Sequence, residues 1–155
     1  MEKVSIEKKL KEYGLVLPEP TEPGGSYVSV NTRNHVAYVS IQFPILNGDF
    51  LFKGRLGEKV STGEGRKAME LCALNVLSQI HHKIGFEAVQ GLNHLDAYYQ
   101  SSQNWDDAPL VVDGASNLFV NILGDKGMHS RAIFGVQKLP RDFCVGLTTS
   151  FSLAQ

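Results

Sequence analysis

The sequence predicts one α+β domain, and three features carry that prediction. In residues 143–153, Phe143, Val145, Leu147, Thr149, Phe151 and Leu153 alternate with Cys144, Gly146, Thr148, Ser150 and Ser152. Such period-2 alternation belongs to a strand with one face in apolar surroundings and a small, polar opposite face. Ser61-Thr62-Gly63-Glu64 is a capping box, in which the serine accepts from the N3 amide and the glutamate reaches back. It opens a long helix with a wide apolar face. The order of elements, β-β-β-α-β-α-β-β after a short N-terminal helix, then suggests two helices on one face of a mixed sheet.

Residues 5–13 read as an amphipathic helix, with Ile6, Leu10 and Tyr13 at helical spacing and Gly14 as its stop. Residues 15–25, LVLPEPTEPGG, form an extended surface connector. Residues 1–25 are therefore expected to be an N-terminal helix and connector, and 26–155 the main domain. Two strands follow over 26–30 and 35–43, joined at Thr32-Arg33-Asn34 as a hairpin. Asn47-Gly48-Asp49 is a second turn signal, leading into a third short strand over 50–53. The capped helix runs to His82 or Lys83, with Gly85 as a left-handed stop. Ala68, Leu71, Cys72, Leu74, Leu77, Ile80 and Ile84 give it the wide apolar face of a helix lying on a sheet. Residues 86–99 read as a strand interrupted at Gly91, and a polar loop covers 100–107. Pro109 suits the first turn of a second helix ending at Gly124. The last two strands lie on either side of a turn at Leu139-Pro140-Arg141-Asp142.

Composition narrows the function classes. A chain of 155 residues with 43% hydrophobic and 20% charged residues can bury one core without disulfides or metals. Fifteen Lys plus Arg against sixteen Asp plus Glu leave a net charge of −1, which disfavours a general nucleic-acid binder. Cys72 and Cys144 are too few for a disulfide framework and fit a reducing compartment. The longest uncharged stretches, 35–48 and 143–155, fall short of the roughly 20 apolar residues of a membrane span. The segment MEKVSIEKKLKEYG has no apolar signal core, so a cytoplasmic protein with no membrane partner is expected.

The chemistry-bearing residues are sparse. Gly63-Glu64-Gly65-Arg66-Lys67-Ala68 matches a dinucleotide fingerprint in letters, but residues 57–62 are too polar for the strand that must precede it. Glu64 would also oppose a phosphate. His81 and His82 are adjacent and diverge on a helix, while His94 and Asp96 share one strand face as two ligands at most. Neither a metal nor a cofactor is expected. Cys72 belongs to the core, and Cys144, on the small polar face, is the better candidate for a reactive thiol. The segment Gly127-Met128-His129-Ser130-Arg131-Ala132 places a histidine and an arginine at the entry to a strand. An arginine held there presents a rigid donor fork suited to a carboxylate.

Asp113-Gly114-Ala115-Ser116-Asn117-Leu118, Gly124-Asp125-Lys126-Gly127, His129-Ser130-Arg131-Ala132, Gly135-Val136 and Leu139-Pro140 together resemble the RidA/YjgF family. They are most similar to its longer branch, named endoribonuclease L-PSP-like. Val39-Ser40-Ile41-Gln42, standing where the family has Ser-Gly-Gln, Gly54-Arg55-Leu56-Gly57 and Cys72-Ala73-Leu74-Asn75-Val76-Leu77 extend the resemblance in the same order. It implies a chorismate-mutase-like fold assembled as a homotrimer, with ligand clefts between subunits. In the family's deaminases the cleft arginine binds the carboxylate of a 2-imino or enamine acid, which water hydrolyses to a keto acid and ammonia. Arg131 falls at that position, Tyr27 at the cleft tyrosine, and Ile133 at the residue two after the arginine. The family's asparagine is Asp113 here, and its water-positioning glutamate on the last strand is Gly146. The resemblance therefore implies a small carboxylate or carbonyl ligand at Tyr27, Arg131, Ile133 and Gly146, with His129 and Asp113 as the proton-transfer candidates beside Arg131. The alternatives are a non-catalytic metabolite-binding module on the same cleft and, disfavoured by charge, a ribonuclease.

Overall fold

The helix opened by the capping box organises the rest of the chain. The computed structural model describes residues 5–155. In α2 (Thr62–Lys83), Ser61 Oγ accepts from the Glu64 amide and Glu64 Oε1 accepts from the Ser61 amide, both at 3.1 Å. The helix stops at Gly85, whose φ of 101° lies in the positive region that favours glycine, although its ψ of 142° departs from the left-handed helical stop read from the sequence. Ala68, Met69, Cys72, Ala73, Val76, Leu77 and Ile80 are buried on the sheet and on α3 (Ala108–Leu123). The two helices approach closely because Gly114 faces the Arg66 backbone: a Cβ there would lie 2.4 Å from the Arg66 carbonyl oxygen.

Beneath the helices lies a five-stranded sheet in the order β1-β2-β7-β5-β6. Its strands are β1 (Val30–Arg33), β2 (Val36–Gln42), β5 (Val89–Tyr99), β6 (Ser130–Gly135) and β7 (Val145–Leu153). β5 and β6 are parallel, joined through α3, and every other pairing is antiparallel. Gly91 sits at a register shift between β5 and β7, which accounts for the interruption read there. The other sheet face carries no helix among the described residues. Tyr38 is 52% exposed on it, and Phe134 is 46% exposed while stacked on Tyr98 with ring centroids 5.5 Å apart.

The structure moves several boundaries. The first hairpin turns at Asn34 and His35, whose φ values of 50° and 62° make the two-residue turn that suits strand twist. The first strand therefore begins at Val30 and not at Ser26. The third strand does not join the main sheet. β3 (Ile45–Leu46) and β4 (Asp49–Phe50) form a separate two-residue hairpin around Asn47-Gly48. Residues 86–88 are a 3-10 turn ahead of β5. β6 and β7, adjacent in sequence, are not neighbours, because β5 lies between them.

The connector is extended, but its inner side is buried. α1 (Ile6–Glu12) is capped by Ser5 Oγ, buries Leu10 and packs on α3. Further along, Ser78 Oγ donates to the Pro18 carbonyl at 2.6 Å, and Gln79 Nε2 donates to the Thr21 carbonyl at 2.8 Å. Asn75 Nδ2 donates to the Phe43 and Ile45 carbonyls at 3.0 and 2.8 Å. Thus α2 is covered on three sides, and its polar residues serve as clamps.

Two helical glycines should respond oppositely to alanine. Gly114→Ala drives a methyl group into backbone and is expected to cost about 1–3 kcal/mol. Gly63, with nothing within 4 Å of its Cβ position, gains helix propensity on Gly63→Ala, about 0.5–1 kcal/mol. Urea midpoints at constant m-value report both.

Candidate functional site

Strand β6 presents Arg131 toward the helix side, because Arg131 is in register with the buried Leu95. There its Nη1 donates to Asp113 Oδ1 at 2.8 Å and to Ser116 Oγ at 3.1 Å, both from α3. The arginine side chain is 27% exposed and the aspartate 38%. The Asp113 carboxylate would repel an anionic ligand if unpaired, and this contact pairs it. Only Nη1 is engaged, so the remaining guanidinium edge keeps its donors for a ligand.

The same cluster contains His129. Its Nδ1 lies 2.6 Å from the Gly127 carbonyl and its Nε2 lies 2.9 Å from Ser116 Oγ. A carbonyl only accepts, so the neutral imidazole carries its proton on Nδ1. Nε2 then accepts from the Ser116 hydroxyl, whose oxygen in turn accepts from Arg131. The chain Gly127–His129–Ser116–Arg131–Asp113 is satisfied at every step. Ile133, two residues on, lies on the same strand face as Arg131 and packs against the core. Arg131, His129, Asp113 and Ile133 are thus brought together. Ser116, which completes the relay, was not singled out from sequence, although it stands inside the Asp113–Leu118 motif.

Tyr27 and Gly146 lie elsewhere. Tyr27 lines a cavity of about 480 Å³ together with Ser40, Ile41, Phe43, Phe50 and Arg141, and its hydroxyl accepts from the Gly24 amide at 3.0 Å. Phe143, at the cavity floor, stacks on Phe43 with centroids 4.9 Å apart and meets Phe50 at 5.2 Å. Gly146 is covered: a Cβ there would stand 2.8 Å from Ile41 Cδ1 and 3.0 Å from Phe43 Cε1. Gly146, where the resemblance implies a water-positioning group, is therefore filled over by Ile41 and Phe43. β7 and β5 separate β2 from β6, three strand spacings of about 4.8 Å each. Within one chain, the cavity and the Arg131 cluster are two separate sites.

Arg141, at the cavity rim, was read only as part of a turn. Arg141 and Asp142 have φ of 56° and 62°, and the buried Gln100 holds their loop. Its Nε2 donates to Asp142 Oδ1 at 2.8 Å and to the Gly54 carbonyl at 3.1 Å, while its Oε1 accepts from the Leu139 amide at 2.7 Å. Nothing in the local sequence marks that glutamine as buried.

The remaining candidates resolve plainly. His94 Nε2 lies 2.9 Å from Asp96 Oδ1, and His94 Nδ1 lies 2.6 Å from Ser130 Oγ. Both ring nitrogens are occupied, and no three His, Cys, Asp or Glu side chains cluster for a metal among the described residues. Cys144 does not sit on an open polar face. It is fully buried, and burial pushes its thiol up to about 12; burial likewise pushes Cys72 well above the ordinary thiol range. No helix among the described residues is long and apolar enough to cross a membrane.

A chorismate-mutase-like α+β fold with an arginine at its sheet edge defines a class, and the comparisons with known proteins agree with it. The profile of the YjgF/chorismate mutase-like family, provisionally endoribonucleases, matches residues 7–151. The chain belongs to that family. It is 31% identical over 137 residues to Protein TCP17 of Trypanosoma cruzi, covering 87% of this chain and 86% of that one. A provisionally assigned endoribonuclease of Shewanella oneidensis MR-1 superposes with a TM-score of 0.94 at 29% identity, over 97% of this chain and 100% of its own. Atu1372 of Agrobacterium tumefaciens, of unknown function, gives 0.90 at 30% identity, over 96% and 92%.

Two outcomes are expected. Ellman's reagent should label neither cysteine in the native protein and both in guanidinium, the readout being absorbance per chain. Gly146→Glu alone should destabilise by about 1–3 kcal/mol through overpacking, and Ile41→Gly combined with it should recover part of that loss in thermal melts.

Proposed function

We propose that the protein is a homotrimer that binds a small carboxylate- or carbonyl-bearing metabolite in clefts between subunits. The observation that carries this reading is Arg131, oriented through Nη1 by Asp113 and Ser116 with the rest of its donor fork uncommitted. The placement of the two sites in one chain supports it further. The cavity around Tyr27 and the Arg131 cluster lie toward opposite edges of one sheet, so one subunit's cavity can meet its neighbour's arginine. The helix-free sheet face, with Tyr38 and Phe134 half exposed, offers apolar area for assembly.

As an enzyme, the cleft would hydrolyse a 2-imino acid. The substrate carboxylate takes the open edge of Arg131. Water adds its hydroxyl to the imine carbon and a proton goes to the nitrogen; the new hydroxyl's proton then passes to that nitrogen as the C–N bond breaks, releasing ammonia and leaving the oxygen as the carbonyl of a keto acid. Proton transfers fall to Asp113 and to His129 through Ser116, the groups within hydrogen-bonding reach of the arginine. The covered Gly146 favours the second reading, binding without turnover, because no carboxylate of β7 can reach an attacking water there.

A coupled assay that generates 2-imino acids with an amino-acid oxidase and follows keto-acid release tests the first reading. Under that reading wild type accelerates release, and Arg131→Ala lowers kcat/KM on the order of 10- to 100-fold, as loss of a charge-assisted contact predicts. Sedimentation equilibrium should return the mass of three chains of 17.1 kDa. No acceleration with several imino acids, alongside saturable binding of the product keto acids, selects the binding reading. A monomer overturns the intersubunit cleft.

A further inference from the structure

Three features of the cavity around Tyr27 suit a ligand with an apolar body and an acidic end. Its floor is aromatic, built from the Phe43–Phe143 stack and Phe50. Its base is sealed by Ile41 and Phe43 over Gly146, which removes both the space and the polar group that a larger residue on β7 would supply. Its rim is cationic: Arg141 lines both this cavity and an adjoining hollow of about 500 Å³ that also contains Lys53 and Lys138. The opposing charges are few. Glu22 lies on the connector side of the cavity, and the Asp142 carboxylate already accepts from Gln100.

We propose that this cavity selects an amphipathic anion, an acid carrying an aromatic group, with the ring on Phe43, Phe50 and Phe143 and the carboxylate on Arg141. The apolar floor gains from burying a ring, and an arginine on a held loop is a directional receptor for the acid. Arg141 is held in place indirectly: Gln100 bonds its neighbours Leu139 and Asp142 from both sides, so the guanidinium projects from an anchored turn. The inference deepens the proposed cleft and takes from that reading only that this cavity is the ligand site, since the ring contacts and Arg141 all lie within one chain. It makes Arg141 and Ile41 the specificity-determining residues of the chain.

Isothermal titration calorimetry with three probes tests it: 2-naphthoate, its uncharged isostere 2-naphthamide, and acetate. Wild type should bind 2-naphthoate saturably at one per chain, bind 2-naphthamide at least tenfold more weakly, and show no heat of binding with acetate. Arg141→Asn, chosen because asparagine tolerates the left-handed backbone at that position, should bring 2-naphthoate to the level of the amide and leave the amide unchanged. Ile41→Trp, which fills the cavity, should abolish both, with circular dichroism melts confirming that each variant is folded. Equal binding of acid and amide, no effect of Arg141→Asn, or no saturable 2-naphthoate binding overturns the proposal. Arg131→Ala separates it from the cleft reading. If Arg131→Ala leaves 2-naphthoate binding intact while Arg141→Asn weakens it, the pocket stands and the composite cleft falls. If pyruvate binds through Arg131 and 2-naphthoate does not bind at all, the cleft stands and this inference falls.

Discussion

The polar side of α2 is buried, and the rest of the fold follows from satisfying its donors, while Asn75 Oδ1 and Gln79 Oε1 have no partner among the described residues. Asn75, Ser78 and Gln79 are inaccessible to solvent, and a buried donor left without a partner costs about 1–3 kcal/mol. Their partners are the carbonyls of Pro18, Thr21, Phe43 and Ile45. The connector and the end of β2 must therefore close over the helix, and in closing they build one wall of the cavity. Thr21 belongs to both arrangements: it accepts from Gln79 and also lines that wall. A second buried amide, Gln100, performs the same service for the loop that carries Arg141. Donors tied inside the core thus shape the cavity outside it.

The site is divided by the sheet. One edge carries an arginine whose charge is balanced by Asp113 and whose orientation is set through Ser116 and His129. Toward the other edge lies an apolar cavity with its own arginine. Balance at Arg131 matters because a half-buried cation without a partner is costly, whereas a pair engaging one guanidinium nitrogen keeps the rest of the fork available. Ile41 and Gly146 form one packing unit in the cavity base, with Phe43 beside them. The isoleucine occupies the space above the glycine, so the strand face there presents hydrocarbon to the cavity.

Regular elements were legible wherever a local rule governed them. The capping box at Ser61, proline in the first turn of α3, Gly124 at its end and the alternation along β7 each depend on neighbours in sequence, and each appears where read. Pairing was less legible. The turn at Asn34-His35 was read one residue early because Thr32-Arg33-Asn34 is equally polar, and the strand over 50–53 shrank to a hairpin because Asn47-Gly48 closes on Ile45–Leu46. Cys144 followed the parity of β7 onto a polar face. In fact the chain enters the strand only at Val145, after a segment buried against Phe52 and Gln100.

The sequence by itself determined the family, the α+β class, the two helices and the cluster of Asp113, His129 and Arg131, since these rest on spacing within short segments and on collinear motifs. Tertiary structure alone decided that β5 separates β6 from β7, that Asn75, Gln79 and Gln100 are buried ties, and that Ile41 seals Gly146. It also made Arg141 the cationic rim of an aromatic cavity. Those facts depend on contacts between residues tens of positions apart. A side chain's role there is set by what the fold brings against it, and no local pattern records that.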